Sequence, residues 1–263
     1  MRSKTLIILL LAAVLVFTGC GHKEKPAPTD PAADPQGETS AEQPADASAG
    51  AETEQPQLPT METSLDAYPL EAATDDILVL VNKTHPVTRD YVAPDLVTVE
   101  HCDPNVGNAD TKKMRKTAAD AIEELIAGAK ADGYDIVMRT GYRSYDYQDY
   151  LFDSYASKYG EAEANTYSAR PGQSEHQTGW CCDVGVIGVG LTDFDYRPEA
   201  VWVADNCWKY GFILRYPADK TDITGYIYES WHIRYVGSRE LAEAITAAGT
   251  MEEYYGLTSV YPD

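Results

Sequence analysis

Two histidines of this chain lie in short motifs whose residue types suit metal-dependent hydrolysis. His176 lies in the segment SEHQTG (174–179), Asp183 follows shortly after it, and His232 ends the segment ESWH (229–232). Two imidazoles and one carboxylate from separate segments can form a three-ligand zinc site with one open position. Zinc lowers the pKa of a water in that position toward neutrality, which makes hydroxide available for hydrolysis.

A hydrolase of this kind also needs a base and a positive charge close to the metal. Glu229 precedes His232 in the same segment and is a candidate general base. Arg143 follows a predicted strand and is a candidate for stabilising an oxyanion. Taken singly, such residues are more often structural, as a core histidine, a turn-capping carboxylate or an ion-paired arginine. The spacing also differs from the helical H-E-x-x-H pattern, so the residue types alone leave both interpretations open.

Apolar periodicity predicts the elements that must hold these residues in place. Helices are expected over about 110–131, 144–159, 198–211 and 238–248, and strands over 77–81, 134–140, 212–216 and 231–236. The segment 160–179 is polar and glycine-rich. The expected buried stripes are Tyr147, Leu151, Tyr155 and Tyr159 in the second helix, and Val201, Ala204 and Trp208 in the third. Helices segregated from short antiparallel strands predict an α+β fold, with a small antiparallel sheet in a single domain.

The amino-terminal residues predict export and a lipid anchor. Arg2 and Lys4 precede an apolar run, 6–17, which is too short to span a membrane as a stable helix. Small residues then lead to Cys20, as in a bacterial lipoprotein signal, although an ordinary secretory signal would look similar. We therefore expect a signal peptide over 1–20 that ends at a lipidated Cys20, and localisation on the outer face of the cell membrane.

The residues after Cys20 predict a tether before the folded domain. The segment 21–60 is rich in proline and acidic residues and contains no Phe, Trp or Tyr. Such a segment cannot bury enough apolar surface to offset the entropy lost on ordering. We expect a disordered tether over 21–75 and a folded domain over 76–263.

Charge and cysteine content limit the partners and the cross-links. The formal net charge is -21, which does not suit nucleic acid because the phosphates would repel the protein. Four cysteines follow Cys20, and an exported chain could pair them. Four cysteines allow three complete pairings, and the sequence does not choose among them.

Several motifs occur in the order seen in one family of bacterial cell-wall enzymes. These are GYRSY (141–145) with Gln148, SEHQTG (174–179) with Asp183 and ESWH (229–232), with LVNK (80–83), FILRYP (212–217), Lys220 and TGY (224–226) around them. The chain resembles the VanY-like D-alanyl-D-alanine carboxypeptidases and the related L,D-carboxypeptidases over about residues 76–258.

The resemblance implies the metal centre and the base. His176, Asp183 and His232 would bind one Zn²⁺ ion. Glu229 would take the proton of the attacking water and pass it to the leaving amine. The implied fold is the small α+β fold shared with hedgehog signalling domains and D-Ala-D-Ala dipeptidases.

The resemblance also implies the substrate and the residues that hold it. Arg143 would stabilise the oxyanion or hold the substrate carboxylate, and Gln148 and Ser174 would line the substrate site. The substrate would be a peptidoglycan stem peptide that loses its C-terminal D-alanine, by either D,D- or L,D-specific cleavage. A monomer is expected.

One departure and three other interpretations stay open. The family usually has small or aliphatic residues where this chain has Cys181 and Cys182, and a thiolate close to zinc could compete as a ligand. Alternate residues of a strand face opposite sides, so at least one of the two should point away from the metal, and we interpret the pair as structural. The other interpretations are a non-catalytic cell-wall-binding lipoprotein, a cysteine peptidase using Cys181 or Cys182, and an endopeptidase or amidase.

Overall fold

The structure, a computed structural model, describes residues 76–259. The predicted signal peptide, Cys20 and the tether over 21–75 lie outside the described residues. No helix between residues 76 and 259 is long and apolar enough to cross a membrane.

Eight α-helices are present in the described part of the chain. They are α1 (Lys116–Ala131), α2 (Tyr145–Tyr159), α3 (Glu161–Tyr167), α4 (Leu191–Phe194), α5 (Pro198–Asn206), α6 (Thr221–Thr224), α7 (Arg239–Ala248) and α8 (Met251–Tyr254). Short 3-10 helices cover Glu175–Thr178 and Cys207–Tyr210. The hydroxyl of Ser144 accepts a hydrogen bond from the backbone N–H of Tyr147 and so caps the start of α2.

Six short strands form two antiparallel sheets within residues 76–259. The strands are β1 (Leu96–Thr98), β2 (Lys113–Arg115), β3 (Val137–Thr140), β4 (Cys181–Gly185), β5 (Phe212–Leu214) and β6 (His232–Tyr235). One sheet pairs β1 with β2, and the other has the order β3-β4-β6-β5. All pairs in both sheets are antiparallel. The prediction of an α+β fold with a small antiparallel sheet is therefore confirmed.

Two apolar clusters hold the helices against the four-stranded sheet. The larger contains the buried face of α1, including Ile122 and Leu125, together with β4 and β6 residues such as Val184 and Ile233. The smaller lies around the buried face of α7 and includes Leu241. Apolar side chains thus pack on both faces of the sheet, and this packing fixes the strands that carry the candidate site.

The segment over 77–81 was predicted as a strand, and this prediction is wrong. It forms a turn and an irregular stretch, because its carbonyl oxygens accept hydrogen bonds from side chains instead of from a neighbouring strand. Arg234 donates to the carbonyl oxygens of Ile77 and Val79, at 2.8 and 3.0 Å. The hydroxyl of Tyr255 donates to the carbonyl oxygen of Leu78 at 2.7 Å.

The helices differ from the prediction in position, in number and in their buried faces. The first helix begins only at Lys116, because Lys113–Arg115 pairs with β1. The polar segment 160–179 contains α3, which was not predicted. In α5 the predicted stripe is wrong, since Val201 is 60% exposed while Ala200 and Val203 are buried.

The predicted stripe of α2 is also wrong in part. Its buried side chains are Gln148, Leu151 and Phe152, and the predicted tyrosines are only half-buried. Tyr155 instead packs edge-to-face against Tyr167 of α3, with ring centroids 5.5 Å apart. The tyrosine side of α2 therefore faces α3 and a cavity, not the main core.

A fully buried charge network connects the sheet to both ends of the described chain. Arg215 donates to Glu175 Oε1 at 2.8 Å and to both carboxylate oxygens of Glu252, at 2.8 and 2.7 Å. Arg234 donates to Glu175 Oε1 at 2.8 Å. All four side chains are 0% exposed. Asn82 Nδ2 also donates to Glu252 Oε1, at 3.0 Å, so the amino-terminal segment is tied to α8.

We expect Glu252→Ala to lower the free energy of unfolding by about 3–5 kcal/mol, because it leaves the Arg215 charge buried and only half paired. The matched control is Glu243→Ala. The side chain of Glu243 is 50% exposed, and that of its ion-pair partner Arg239 is 55% exposed. That control should cost only about 0–1 kcal/mol. Chemical denaturation of the two variants and the wild-type chain measures both changes. Equal, small losses would show that the network does not stabilise the fold.

Candidate active site

Strand pairing brings two of the predicted metal ligands together. In the four-stranded sheet, Asp183 of β4 pairs with Thr140 of β3 on one side and with His232 of β6 on the other. Directly paired residues on one face of an antiparallel sheet have neighbouring side chains. His232 Nδ1 accordingly lies 3.2 Å from Asp183 Oδ1.

The third predicted ligand reaches the same point from the 3-10 helix Glu175–Thr178. His176 Nε2 lies 3.4 Å from Asp183 Oδ1. The other ring nitrogen, Nδ1, donates to the carbonyl oxygen of Gly141 at 2.6 Å. Because a carbonyl oxygen can only accept, this bond places the proton on Nδ1 and leaves the lone pair on Nε2, facing Asp183.

Gly141 can take this position only because it has no side chain. A Cβ atom there would lie 2.2 Å from the carbonyl oxygen of Lys113. The close approach is held by the backbone N–H of Tyr142, which donates to the same oxygen at 2.7 Å. The glycine of the GYRSY motif therefore permits the backbone contact that orients His176.

A carboxylate orients the second histidine. His232 Nε2 lies 3.4 Å from Glu175 Oε2, and its Nδ1 faces Asp183. Glu175 belongs to the buried network with Arg215 and Arg234, and their positive charges keep its pKa well below the usual range although burial opposes ionisation. An ionised carboxylate behind a metal-binding imidazole fixes the ring and raises its basicity.

The converging atoms fit a metal ion. His176 Nε2 and Asp183 Oδ1 are both buried and lack a well-aligned hydrogen-bond partner within residues 76–259. Burial alone would raise the pKa of Asp183, but the two histidines lower it well below its usual range. Two imidazole nitrogens and an ionised carboxylate are a donor set that zinc prefers. The predicted ligands are therefore brought together as one candidate metal site.

Glu229 lies at the edge of this group. Its Oε2 is 3.7 Å from His232 Nδ1, and its backbone N–H donates to the carbonyl oxygen of Tyr216 at 3.1 Å. Burial raises the pKa of Glu229 to about 7, and the negative charge of Asp183 adds to the effect. A carboxylate with a pKa close to neutrality is suited to accept and release a proton near pH 7.

A cavity opens from the metal-binding atoms and is lined by the predicted substrate residues. Arg143, Gln148 and Ser174 all line it, together with Tyr167. Buried polar atoms of three of them have no hydrogen-bond partner within the described chain, namely Arg143 Nε, Gln148 Oε1 and the Tyr167 hydroxyl. Buried polar atoms without partners are rare in native proteins, so these atoms indicate a site for a polar ligand.

Arg143 supplies the positive charge of this cavity. It is the only lysine or arginine among the described residues that line it, and its Nη2 lies 3.7 Å from Asp183 Oδ2. Its backbone N–H donates to the carbonyl oxygen of His176 at 3.1 Å. Arg143 is therefore fixed at the boundary between the metal-binding atoms and the open cavity.

The two adjacent cysteines differ in their surroundings. Cys182 packs in the larger apolar cluster. Cys181 Sγ lies instead within 4.8 Å of a ring nitrogen of His176 and one of His232. Burial opposes ionisation of Cys181, but the two histidines lower its pKa to about 7. The expectation that both cysteines are structural therefore fits Cys182 and not Cys181.

Sequence reasoning gave no role to Glu175 or Tyr167, and it interpreted Cys181 as structural. Glu175 belongs to the SEHQTG motif, but no local pattern indicates that its carboxylate faces His232, 57 residues further along the chain. Tyr167 lies in α3, which was not predicted. Cys181 shares a face of β4 with Asp183, as their spacing of two residues indicates.

The chain is similar in sequence to known carboxypeptidases. The family model VanY, described as D-alanyl-D-alanine carboxypeptidase, matches residues 111–238. YodJ of Bacillus subtilis (strain 168) is 40% identical over 184 residues, which is 69% of this chain and 67% of that protein.

Two solved structures share the fold. The LdcB LD-carboxypeptidase is 39% identical with a TM-score of 0.65, and the match covers 70% of this chain and 88% of that one. A variant of the vancomycin-resistance D,D-pentapeptidase VanY, in complex with Zn(II), is 32% identical with a TM-score of 0.57. That match covers 67% of this chain and 97% of the other. Together these similarities show that the chain belongs to the VanY family of D-alanyl-D-alanine carboxypeptidases.

Proposed function

We propose that this protein is a zinc-dependent carboxypeptidase that removes the C-terminal D-alanine from peptidoglycan stem peptides. The observation that carries the proposal is the convergence of His176 Nε2, Asp183 Oδ1 and His232 Nδ1 at the buried end of a cavity, beside Glu229. The similar VanY structure is described in complex with Zn(II), and the LdcB structure is described as revealing peptidoglycan recognition. Both descriptions support the metal and the substrate class.

His176, Asp183 and His232 would hold one zinc ion. When bound at such a site, zinc acidifies a water and polarises the carbonyl group of the substrate. Glu229 lies where it can accept the proton of the attacking water and then donate it to the leaving amine of D-alanine. Its raised pKa, about 7, suits both transfers, because the same group must take up and release a proton in each cycle.

Arg143 would provide the positive charge that an exopeptidase needs. A C-terminal peptide carries a carboxylate, and a guanidinium group binds carboxylates through paired charge-assisted hydrogen bonds. Arg143 Nε is buried without a partner in the described chain, so it has a donor available for the terminal carboxylate or the oxyanion. Gln148, Ser174 and Tyr167 would position the rest of the peptide stem.

The cavity argues against the cysteine-peptidase interpretation. Cys181 is fully buried and is not among the described residues that line the cavity. A nucleophile must reach the scissile carbonyl carbon directly. Cys181 does not reach the cavity in this structure, whereas Glu229 lines it.

The proposal is tested with the purified full chain, loaded with zinc, and defined pentapeptide and tetrapeptide muropeptides. We expect the loss of one alanine from at least one substrate, and we expect a chelator to abolish it because the ligands alone cannot activate water. Mass spectrometry of the products identifies which bond is cut. Unchanged masses with zinc shown to be bound would favour a binding protein, and internal cleavage of cross-linked stems would favour an endopeptidase.

Separate variants distinguish the base from the ligands. We expect Glu229→Gln to keep its zinc and to lose turnover by roughly 10²–10⁴-fold, since general acid–base catalysis contributes about that much. His176→Ala should lose the metal itself. Glu240→Gln, at an exposed position of α7, is the control and should behave as wild type. Metal analysis with kinetics measures both effects, and a near wild-type rate for Glu229→Gln would refute its role as base.

We also propose that a lipid on Cys20 anchors the protein outside the cell membrane, with 21–75 as a tether. The support is the apolar run 6–17 before Cys20 and the proline-rich, acidic composition after it. We expect Cys20→Ala to move the protein from the membrane fraction to the soluble fraction. Cys102→Ala is the control and should stay with the membrane. Retention of the Cys20 variant in the membrane would contradict the anchor.

A further inference from the structure

Cys181 and its neighbour Cys182 lie on opposite faces of β4. Successive side chains of a strand point to opposite faces, so Cys181 shares the face of Asp183, and Cys182 points away. Cys182 belongs to the larger apolar cluster, whereas Cys181 belongs to neither cluster. Cys181 is nevertheless fully buried. A buried thiol that belongs to neither apolar cluster therefore lies on the face of β4 that carries Asp183, the candidate metal-binding carboxylate.

The neighbours of Cys181 on that face are the two candidate histidine ligands. Its Sγ and one ring nitrogen from each of His176 and His232 all lie within 4.8 Å of one another. Imidazole nitrogen and thiolate sulfur both bind soft and borderline metals, so these three atoms are a suitable donor set for one ion. Cys181 is a free thiol, as are the other three described cysteines, so no disulfide competes for the sulfur.

We propose that Cys181 Sγ is a fourth protein ligand of the metal ion, beside His176, Asp183 and His232. This inference rests on the metal site of the proposed function and adds a sulfur donor to it. The strand supplies the sulfur from within the protein, because Cys181 does not line the cavity and the other three ligands do. With this ligand set, a water molecule and the substrate would reach the metal from the cavity.

Binding of the metal ion by Cys181 requires no oxidant or reductant. The thiol releases its proton to solvent, and a sulfur lone pair forms the bond to the metal. Zinc binds thiolates readily, and catalytic zinc sites can expand from four to five ligands. The negative charges of the Asp183 carboxylate and the Cys181 thiolate together balance the two positive charges of the ion. A site with this donor set should hold its metal more tightly and should favour softer metals, because thiolates select them.

The test replaces zinc with Co²⁺ in the full chain. A cobalt–thiolate bond gives a charge-transfer absorption in the near ultraviolet that nitrogen and oxygen ligands do not give. We expect this band in the wild-type chain and in Cys182→Ala, the matched control with its side chain on the opposite face. The band should be absent in Cys181→Ala and Cys181→Ser, while both variants still bind cobalt. The preference for Cd²⁺ over Zn²⁺ should fall in the same two variants, on the order of tenfold or more.

A second measurement needs no variant. X-ray absorption of the zinc-loaded wild-type chain should show a sulfur neighbour at about 2.3 Å, in addition to nitrogen and oxygen at about 2.0–2.2 Å. Full metal occupancy with no sulfur neighbour and no cobalt band would overturn the inference and leave the proposed carboxypeptidase standing. A band that persists in Cys181→Ser would also overturn it. Failure to bind any metal would overturn the inference together with the proposed metal site.

Discussion

The rest of the structure depends on the buried charge network around Glu175. Moving an ion out of water costs several kcal/mol, so two arginines and two glutamates with no exposed surface are tolerated only if each is paired. Here Arg215 and Arg234 share Glu175, and Glu252 accepts one hydrogen bond from each of the other two guanidinium nitrogens of Arg215. The charges sum to zero, and the geometry of each arginine fork fixes the segments that carry its partners.

This network makes the candidate metal site part of the core of the fold. Glu175 has one carboxylate oxygen on the arginines and the other toward His232. The orientation of that imidazole therefore depends on Arg215, and through it on α8 and Glu252 at the far end of the described chain. His176 is oriented differently, by the backbone at Gly141. A disturbance of the carboxy-terminal helices would consequently reach His232 through Arg215 and Glu175.

The resemblance in motif order predicted that His176, Asp183 and His232 share one site, but apolar periodicity did not predict β4, the strand that pairs Asp183 with His232. No local sequence pattern predicts that Arg215 and Glu252 bind each other. The strand predicted over 77–81 failed for the same reason: an apolar run there indicates burial, but Arg234 takes the carbonyl oxygens that a neighbouring strand would have used.

Substrate recognition must be local, because the charge of the protein as a whole opposes it. The chain has a formal net charge of -21, and a peptide that ends in a carboxylate gains nothing from that field at long range. At physiological ionic strength, charges separated by more than about 8 Å are largely screened. Arg143 is the only lysine or arginine among the described residues that line the cavity, and it is mostly shielded from solvent, so its attraction is weakened little by salt. In the proposed function, Arg143 would bind the terminal carboxylate at a single buried position next to the candidate metal ligands, and this arrangement would favour cleavage at the end of a peptide over cleavage within it.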